Sequence, residues 1–163
     1  MNVCKIAFFG HRTLTSHRII EEKLYPLLKE LTVNNSFVEF YVGRDGEFDI
    51  LCASAVKQVQ KSIGSENSAL TLVLAYTKKD IDFYERYYSS VIIPECIAKI
   101  HPKGAITARN KWMVEESDLV ICYVKKDSGG AFTALKYARE LGKKIINLAD
   151  IIKEGNAGGR SLP

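Results

Sequence analysis

The segment Asp118–Ala138, DLVICYVKKDSGGAFTALKYA, changes from one kind of pattern to another around a pair of glycines. Its first part, Leu119–Val124, is a continuous apolar run of the kind that forms a buried strand. After Gly129 and Gly130, apolar residues recur at helical spacing from Ala131 onward. A strand that leads through glycine into a helix is the repeating unit of a parallel sheet with helices on its faces. This segment therefore predicts the fold class.

The rest of the chain repeats the alternation of strand and helix. The further predicted strands are Val3–Phe9, Phe37–Val42, Ala69–Ala75 and Lys144–Leu148. The predicted helices run from a cap at Thr15 or Ser16 to Leu31, from Gly46 through Val59, from Ala105 to Glu116 and from Gly130 to Leu141. Pro26 is expected to kink the first of these helices. Residues 76–103 are predicted to hold a short helix and loops, and residues 150–163 a polar tail.

This order of elements predicts an α/β fold of Rossmann-like type. We expect a three-layer α/β/α sandwich whose middle layer is a mainly parallel sheet of about five strands. The chain has 163 residues, the size of one domain, so we expect residues 1–163 to form a single Rossmann-like domain. In such sheets ligands bind at the carboxyl ends of the strands, where the strand order reverses.

Composition limits the partners that the chain is expected to have. The net charge is +4, from 23 Lys and Arg against 19 Asp and Glu, and no block of like charges occurs. This mild excess suits a protein that handles anionic small molecules, and it argues against nucleic acid as a partner. The four cysteines are far apart and form no C-x-x-C pair, which indicates a reducing compartment. Since neither a signal peptide nor an apolar span of ~20 residues is evident, we expect a cytoplasmic protein without membrane contact.

Polar residues follow three of the predicted strands or lie on the helix beside them. The candidate ligand-binding residues are Gly10, His11, Arg12, Gly43, Arg44, Asp45, Arg109, Asn110, Ser128, Gly129, Gly130 and Thr133. The glycine pair lets the backbone approach a ligand, and the free N–H groups of the helix that starts there favour phosphate. The alternative is a tight turn with nothing bound. Three strands lead into glycine at one edge, which packing alone is not expected to require.

Several of these candidates have a structural alternative. Arg109 and Asn110 share a helix face with apolar residues, and they either form a structural hydrogen-bond network or present Arg109 to a phosphate or carboxylate. His11 is either a ligand contact or a loop residue. Asp45 or Asp49 either receives a ribose hydroxyl or favours the start of a helix. Five aromatic residues are candidates for one of two roles, either stacking on a base or lining the subunit contact of a homo-oligomer. They are Tyr76, Tyr84, Tyr87, Tyr88 and Trp112. No metal ligands are indicated.

Four motifs carry a resemblance that covers nearly the whole chain. They are FFGHR, VGRDGEFDILCASAV, ARNKWMVEESDLVICYV and SGGAFTALKYARELGKKIINL. Together they resemble the YpsA-type branch of the SLOG superfamily, whose relatives include the LOG phosphoribohydrolases and DprA-like proteins. The resemblance implies a Rossmann-like fold and a site for a nucleotide-type ligand, such as NAD, ADP-ribose or a nucleoside phosphate.

The enzymatic relatives have a loop acid that this chain lacks. Arg109 and Met113 match the helix motif of the LOG phosphoribohydrolases, and Gly129, Gly130 and Thr133 match their glycine loop, but Lys136 stands where the acid belongs. In the similar loop of nucleoside deoxyribosyltransferases, Thr133 takes the place of the nucleophilic glutamate.

Cleavage of an N-glycosidic bond develops positive charge on the sugar, which a carboxylate stabilises. The missing acid therefore favours ligand binding without turnover, in a sensor or regulator. The alternative is an N-glycosidase, deoxyribosyltransferase or phosphoribohydrolase with an acid from elsewhere, such as Glu95, Glu115 or Glu116. A DprA-like protein that binds nucleic acid is a third alternative, which the mild charge disfavours.

Overall fold

The computed structural model describes residues 3–44, 46–77 and 79–152. The strands are β1 (Val3–Gly10), β2 (Phe37–Val42), β3 (Ser68–Val73), β4 (Ser90–Ile92), β5 (Leu119–Tyr123) and β6 (Lys144–Asn147). The helices are α1 (His17–Asn34), α2 (Glu47–Ile63), α3 (Ile81–Tyr87), α4 (Glu95–Ala98), α5 (Pro102–Glu116) and α6 (Gly130–Glu140). The predicted tail falls mainly in residues 153–163, outside the described part of the chain.

The six strands form one parallel sheet in the order β4-β3-β2-β1-β5-β6. Side chains alternate between the two faces of a strand, and β1 shows the result. Ile6 and Phe8 pack into one core with residues of α1 and α2. Ala7 and Phe9 pack into a second core with residues of α5 and α6. The sheet is therefore buried on both faces, and the prediction of a Rossmann-like α/β/α fold is confirmed.

The strand order reverses beside β1. From β1 the chain adds β2, β3 and β4 on one side, and it then returns to place β5 on the other side. The β1–β5 pairing runs from Ile6 opposite Leu119 to Gly10 opposite Tyr123. The carboxyl ends of these two strands therefore lie side by side at the point where this class of sheet binds ligands.

The sheet has one strand more than the sequence predicts. The additional strand is β4, three residues long, which pairs with β3 at the edge of the sheet. It lies in the segment predicted as a short helix and loops, where three residues are too few to show a periodic pattern. The helix predicted from Ala105 begins instead at Pro102, because proline suits the first turn of a helix. Among the described residues, no helix has the length and apolar character needed to cross a membrane.

Gly10 is needed for packing, contrary to the sequence-based expectation. A Cβ atom at Gly10 would lie 2.2 Å from Cγ of Phe48, a fully buried residue in the first turn of α2. Gly46 is constrained in the same way, since its Cβ would lie 2.7 Å from Cα of Arg12. Both glycines allow the start of α2 to lie directly against the end of β1. Their presence at this edge is therefore no evidence of a ligand.

We expect Gly10→Ala to lower the free energy of unfolding by about 1–3 kcal/mol, the usual cost of overpacking a filled core. Urea unfolding measures the change. Gly130→Ala is the control, because the nearest atom to a Cβ there is Nδ2 of Asn110, at 3.8 Å. The control should change stability by less than about 0.5 kcal/mol, and an equal loss in the two variants would contradict this account of Gly10.

Candidate functional site

A cavity of about 320 Å³, here called the crevice, opens at the carboxyl edge of the sheet. The predicted residues that line it are Gly10, His11, Arg12, Gly43, Arg109, Asn110, Gly129 and Gly130. They come from the ends of β1 and β2, from α5 and from the start of α6. The structure thus brings together segments that are far apart in the sequence, and the role of these residues in binding stays a prediction.

Three other predicted residues, Arg44, Ser128 and Thr133, are not among those that line the crevice. The guanidinium of Arg44 stacks on the ring of Tyr84 in α3, 4.7 Å from its centroid, and Arg44 is not among the residues that line the crevice. Thr133 lines a neighbouring groove, and Ser128 is exposed on the loop before α6. Asp45 falls outside the described residues.

Asp49 lines the crevice although it was predicted only as one of two alternative ribose contacts. It lies in the first turn of α2, where an acidic residue is also favoured by the helix dipole. Asp49 therefore meets the positional requirement of both roles. Among the residues that the structure describes, the lining of the crevice consequently includes one carboxylate as well as basic side chains.

Arg109 and Asn110 form a buried pair in the wall of the crevice. Arg109 is 5% exposed and Asn110 is 8% exposed, and Nε and Nη2 of the arginine donate to Oδ1 of the asparagine at 3.1 and 2.9 Å. Gly43 leaves room for the guanidinium, because a Cβ there would lie 2.8 Å from its Nη1. The two side chains thus bond to each other, whereas the structural alternative supposed bonds to neighbouring backbone, and the guanidinium is held beside the cavity.

His11 follows the end of β1 and forms hydrogen bonds with the loop between β5 and α6. Its Nε2 accepts hydrogen bonds from the backbone N–H groups of Lys125 and Lys126 at 2.8 and 3.4 Å. An imidazole nitrogen that accepts a hydrogen bond carries no proton, so the proton of the neutral ring is on Nδ1. Partial burial, and then the charges of Lys126 and Lys125, lower the pKa of His11 below its ordinary value of 6.5. His11 is therefore a loop anchor that also lines the crevice.

Gly129 has a backbone conformation that side chains rarely adopt. Its φ is 96° and its ψ is 173°, and a Cβ there would meet no heavy atom within 4 Å. The glycine is thus required by conformation, and the space beside it is open. Gly129 is also the N-cap of α6 and provides no side-chain cap, so first-turn N–H groups are available to solvent or a ligand.

No metal site is suggested by the part of the chain that the structure describes, since it contains no group of three or more His, Cys, Asp and Glu arranged to hold an ion. The chemistry available at the crevice is anion binding. Helix N–H groups and cationic side chains lie at one end of the sheet, together with the carboxylate of Asp49 at the start of α2.

The fold defines a Rossmann-like α/β protein with a crevice at the carboxyl edge of its sheet. No family model and no curated protein sequence matches the chain. Among solved structures, DNA processing protein A from Streptococcus pneumoniae is similar, with 17% identity, a TM-score of 0.63 and coverage of 88% of this chain and 49% of that chain. A structure of DNA processing protein A from Helicobacter pylori is also similar, with 17% identity, a TM-score of 0.59 and coverage of 88% and 64%.

These likenesses show the fold, and the chain spans about half the length of the first neighbour and less than two thirds of the length of the second. The Helicobacter pylori protein binds single-stranded DNA. This comparison contradicts the prediction that argued against nucleic acid as a partner, and that prediction is wrong. Net charge misled because it does not record position: Arg12, Lys125 and Lys126 are all exposed, and His11, next to Arg12 in the chain, accepts hydrogen bonds from the backbone of both lysines.

We expect His11 to titrate below 6.5, because the fold favours its neutral form. The neutral form is stabilised above pH 6.5, and that contribution to stability is lost as the pH falls through the lower, folded-state pKa. Imidazole NMR signals followed against pH measure the pKa, and the backbone amides of Lys125 and Lys126 should shift at the same midpoint. A His11 midpoint at or above 6.5 would contradict the assigned hydrogen bonds.

Proposed function

We propose that the crevice binds the phosphate of a nucleotide-type ligand. The observation that carries the proposal is the start of α6, where the uncapped helix terminus at Gly129 and Gly130 faces the same cavity as Arg12 and Arg109. Helix N–H groups and arginine are both strong phosphate ligands. Because Asn110 and Gly43 already hold the guanidinium of Arg109 in position, binding does not have to order that side chain.

Two sources of such a phosphate are compatible with this chemistry. One is a free nucleotide such as NAD, ADP-ribose or a nucleoside phosphate, bound by a sensor or regulator of the YpsA type. The other is a nucleotide within single-stranded DNA, which the comparison with the Helicobacter pylori protein supports.

All four cysteines are free thiols, which supports the prediction that the protein works in a reducing compartment such as the cytoplasm.

We expect Gly129→Asp to bind the ligand at least about 10-fold more weakly than Gly129→Ala. Both variants share the strain of a side chain at a positive φ, about 1–3 kcal/mol, but only the aspartate adds a negative charge beside the phosphate. Calorimetry with a panel of free nucleotides and with a single strand of DNA measures the two affinities and identifies the source of the phosphate. Equal affinity of the two variants for every ligand that the wild type binds would refute the proposed site.

A second candidate function is cleavage of an N-glycosidic bond, and Asp49 is the observation that favours it. The three glutamates predicted as substitutes are not among the residues that line the crevice, and Glu115 instead accepts a hydrogen bond from the hydroxyl of Tyr137. Among these four acidic residues, Asp49 is thus the one that lines the crevice and would replace the missing acid. Since Thr133 and Lys136 stand at the two positions where the related loops carry their acid, binding without turnover remains the proposal.

We expect the wild type to release no free base from nucleoside monophosphates or deoxynucleosides over hours at neutral pH. Chromatographic detection of adenine, guanine, cytosine and uracil is the assay. Turnover of about 1 per second, the scale of ordinary enzymes, would establish the enzyme instead if Asp49→Asn abolished it. The asparagine keeps the shape of the side chain while removing its charge, so its binding of nucleotide shows whether the fold is intact.

A further inference from the structure

A second cavity, here called the α5–α6 groove, adjoins the crevice. Its volume is about 230 Å³, and it lies between α5 and α6. Ile106, Asn110 and Gly130 line both cavities. The two cavities therefore meet at the N-terminus of α6, which is the position proposed for the phosphate.

The walls of the α5–α6 groove match the chemistry of a nucleoside. The ring of Tyr137 forms one side, and its orientation is fixed because its hydroxyl donates to Oε2 of Glu115 at 2.5 Å. The ammonium of Lys111 lies 5.5 Å from the centroid of that ring. Aromatic rings next to cations are the usual platforms on which single nucleobases stack.

Hydroxyl groups supply the polar part of the α5–α6 groove. Thr133 donates its proton to the carbonyl oxygen of Gly129 at 3.1 Å, so its hydroxyl oxygen is left with the capacity to accept from a sugar hydroxyl or a base amino group. Ala134 provides apolar surface beside it. An aromatic wall, a cation and hydroxyl acceptors around a small apolar patch suit a base with its sugar better than they suit a second phosphate.

We infer that the ligand carries a nucleoside on each side of its phosphate, one in the crevice and the other in the α5–α6 groove. This inference rests on the proposed function. A terminal phosphate has one ester substituent and can extend into only one of two cavities that diverge from it, whereas a bridging phosphate extends into both. The ligand class is therefore two nucleosides joined through phosphate, either as a free dinucleotide or as consecutive units of a strand.

The test compares three compounds with the wild type by calorimetry: deoxyadenosine monophosphate, the dinucleoside monophosphate d(ApA) and NAD. We expect d(ApA) or NAD to bind at least about 10-fold more tightly than the mononucleotide. For d(ApA) this gain is not an effect of charge, because the bridging phosphate carries one negative charge and a terminal phosphate carries more at neutral pH. An oligodeoxyadenylate that binds more tightly still indicates a strand as the source, and no further gain indicates a free dinucleotide.

Two variants test the α5–α6 groove itself. Tyr137→Leu removes the aromatic wall and Thr133→Trp fills the space, and each should reduce the affinity for the two-nucleoside ligand to that for the mononucleotide. Mononucleotide affinity should stay unchanged in both. Lys136→Trp is the control for the added indole, since Lys136 is on the same helix but is not among the residues that line either cavity.

The outcomes separate this inference from the proposed function. Equal affinity of the wild type for one and two nucleosides, or variants that weaken both ligands alike, would overturn the second subsite while phosphate binding at Gly129 stands. If neither ligand binds, or if Gly129→Asp and Gly129→Ala bind both alike, the proposed function fails as well. Circular dichroism and thermal unfolding of each variant exclude loss of the fold as the cause.

Discussion

The parallel pairing of β1 with β5 is the interaction on which the rest of the structure depends. It is fixed at its start by Asp118, whose side chain accepts from the backbone N–H of Lys5 and whose own N–H donates to the carbonyl of Lys5. It is fixed at its end by His11, which accepts from the backbone of Lys125. Between these anchors the strands are covered on both faces by apolar side chains. The crevice exists because this pair holds two loops at one edge of the sheet.

The buried Arg109–Asn110 pair gives the crevice a polar wall that the fold itself holds in place. A charged side chain that is nearly excluded from water is costly unless its donors are used. Asn110 takes two of those donors, and the absence of a side chain at Gly43 lets the guanidinium lie flat against the end of β2. The arginine is therefore placed by neighbours that the fold itself provides. A polar wall built this way keeps its shape whether or not an anion is present.

The sequence predicts the fold class because strands buried on both faces leave long apolar runs, as β1, β2 and β5 do. Those runs gave nearly correct boundaries, whereas β4 was missed because an edge strand of three residues has no periodicity of its own. The sequence could not show why positions 10 and 43 require glycine. A Cβ at Gly10 would collide with Phe48 and a Cβ at Gly43 with Arg109, and both of these residues are distant in the sequence. Net charge was a poor basis for arguing against nucleic acid, because composition records how many cations a chain has and not where they lie.

The two edges of the sheet bear on how the protein behaves at high concentration. A long unpaired edge strand is a template on which a strand of another chain can add, and this is a common route to aggregation. Here the edge strands are β4, with three residues, and β6, with four, and β6 begins at the exposed Lys144. Such short edges, one of them charged, offer few backbone groups to an incoming strand. The sheet therefore ends on both sides in a short strand, and the longer strands β1 and β2, whose ends line the crevice, lie between them.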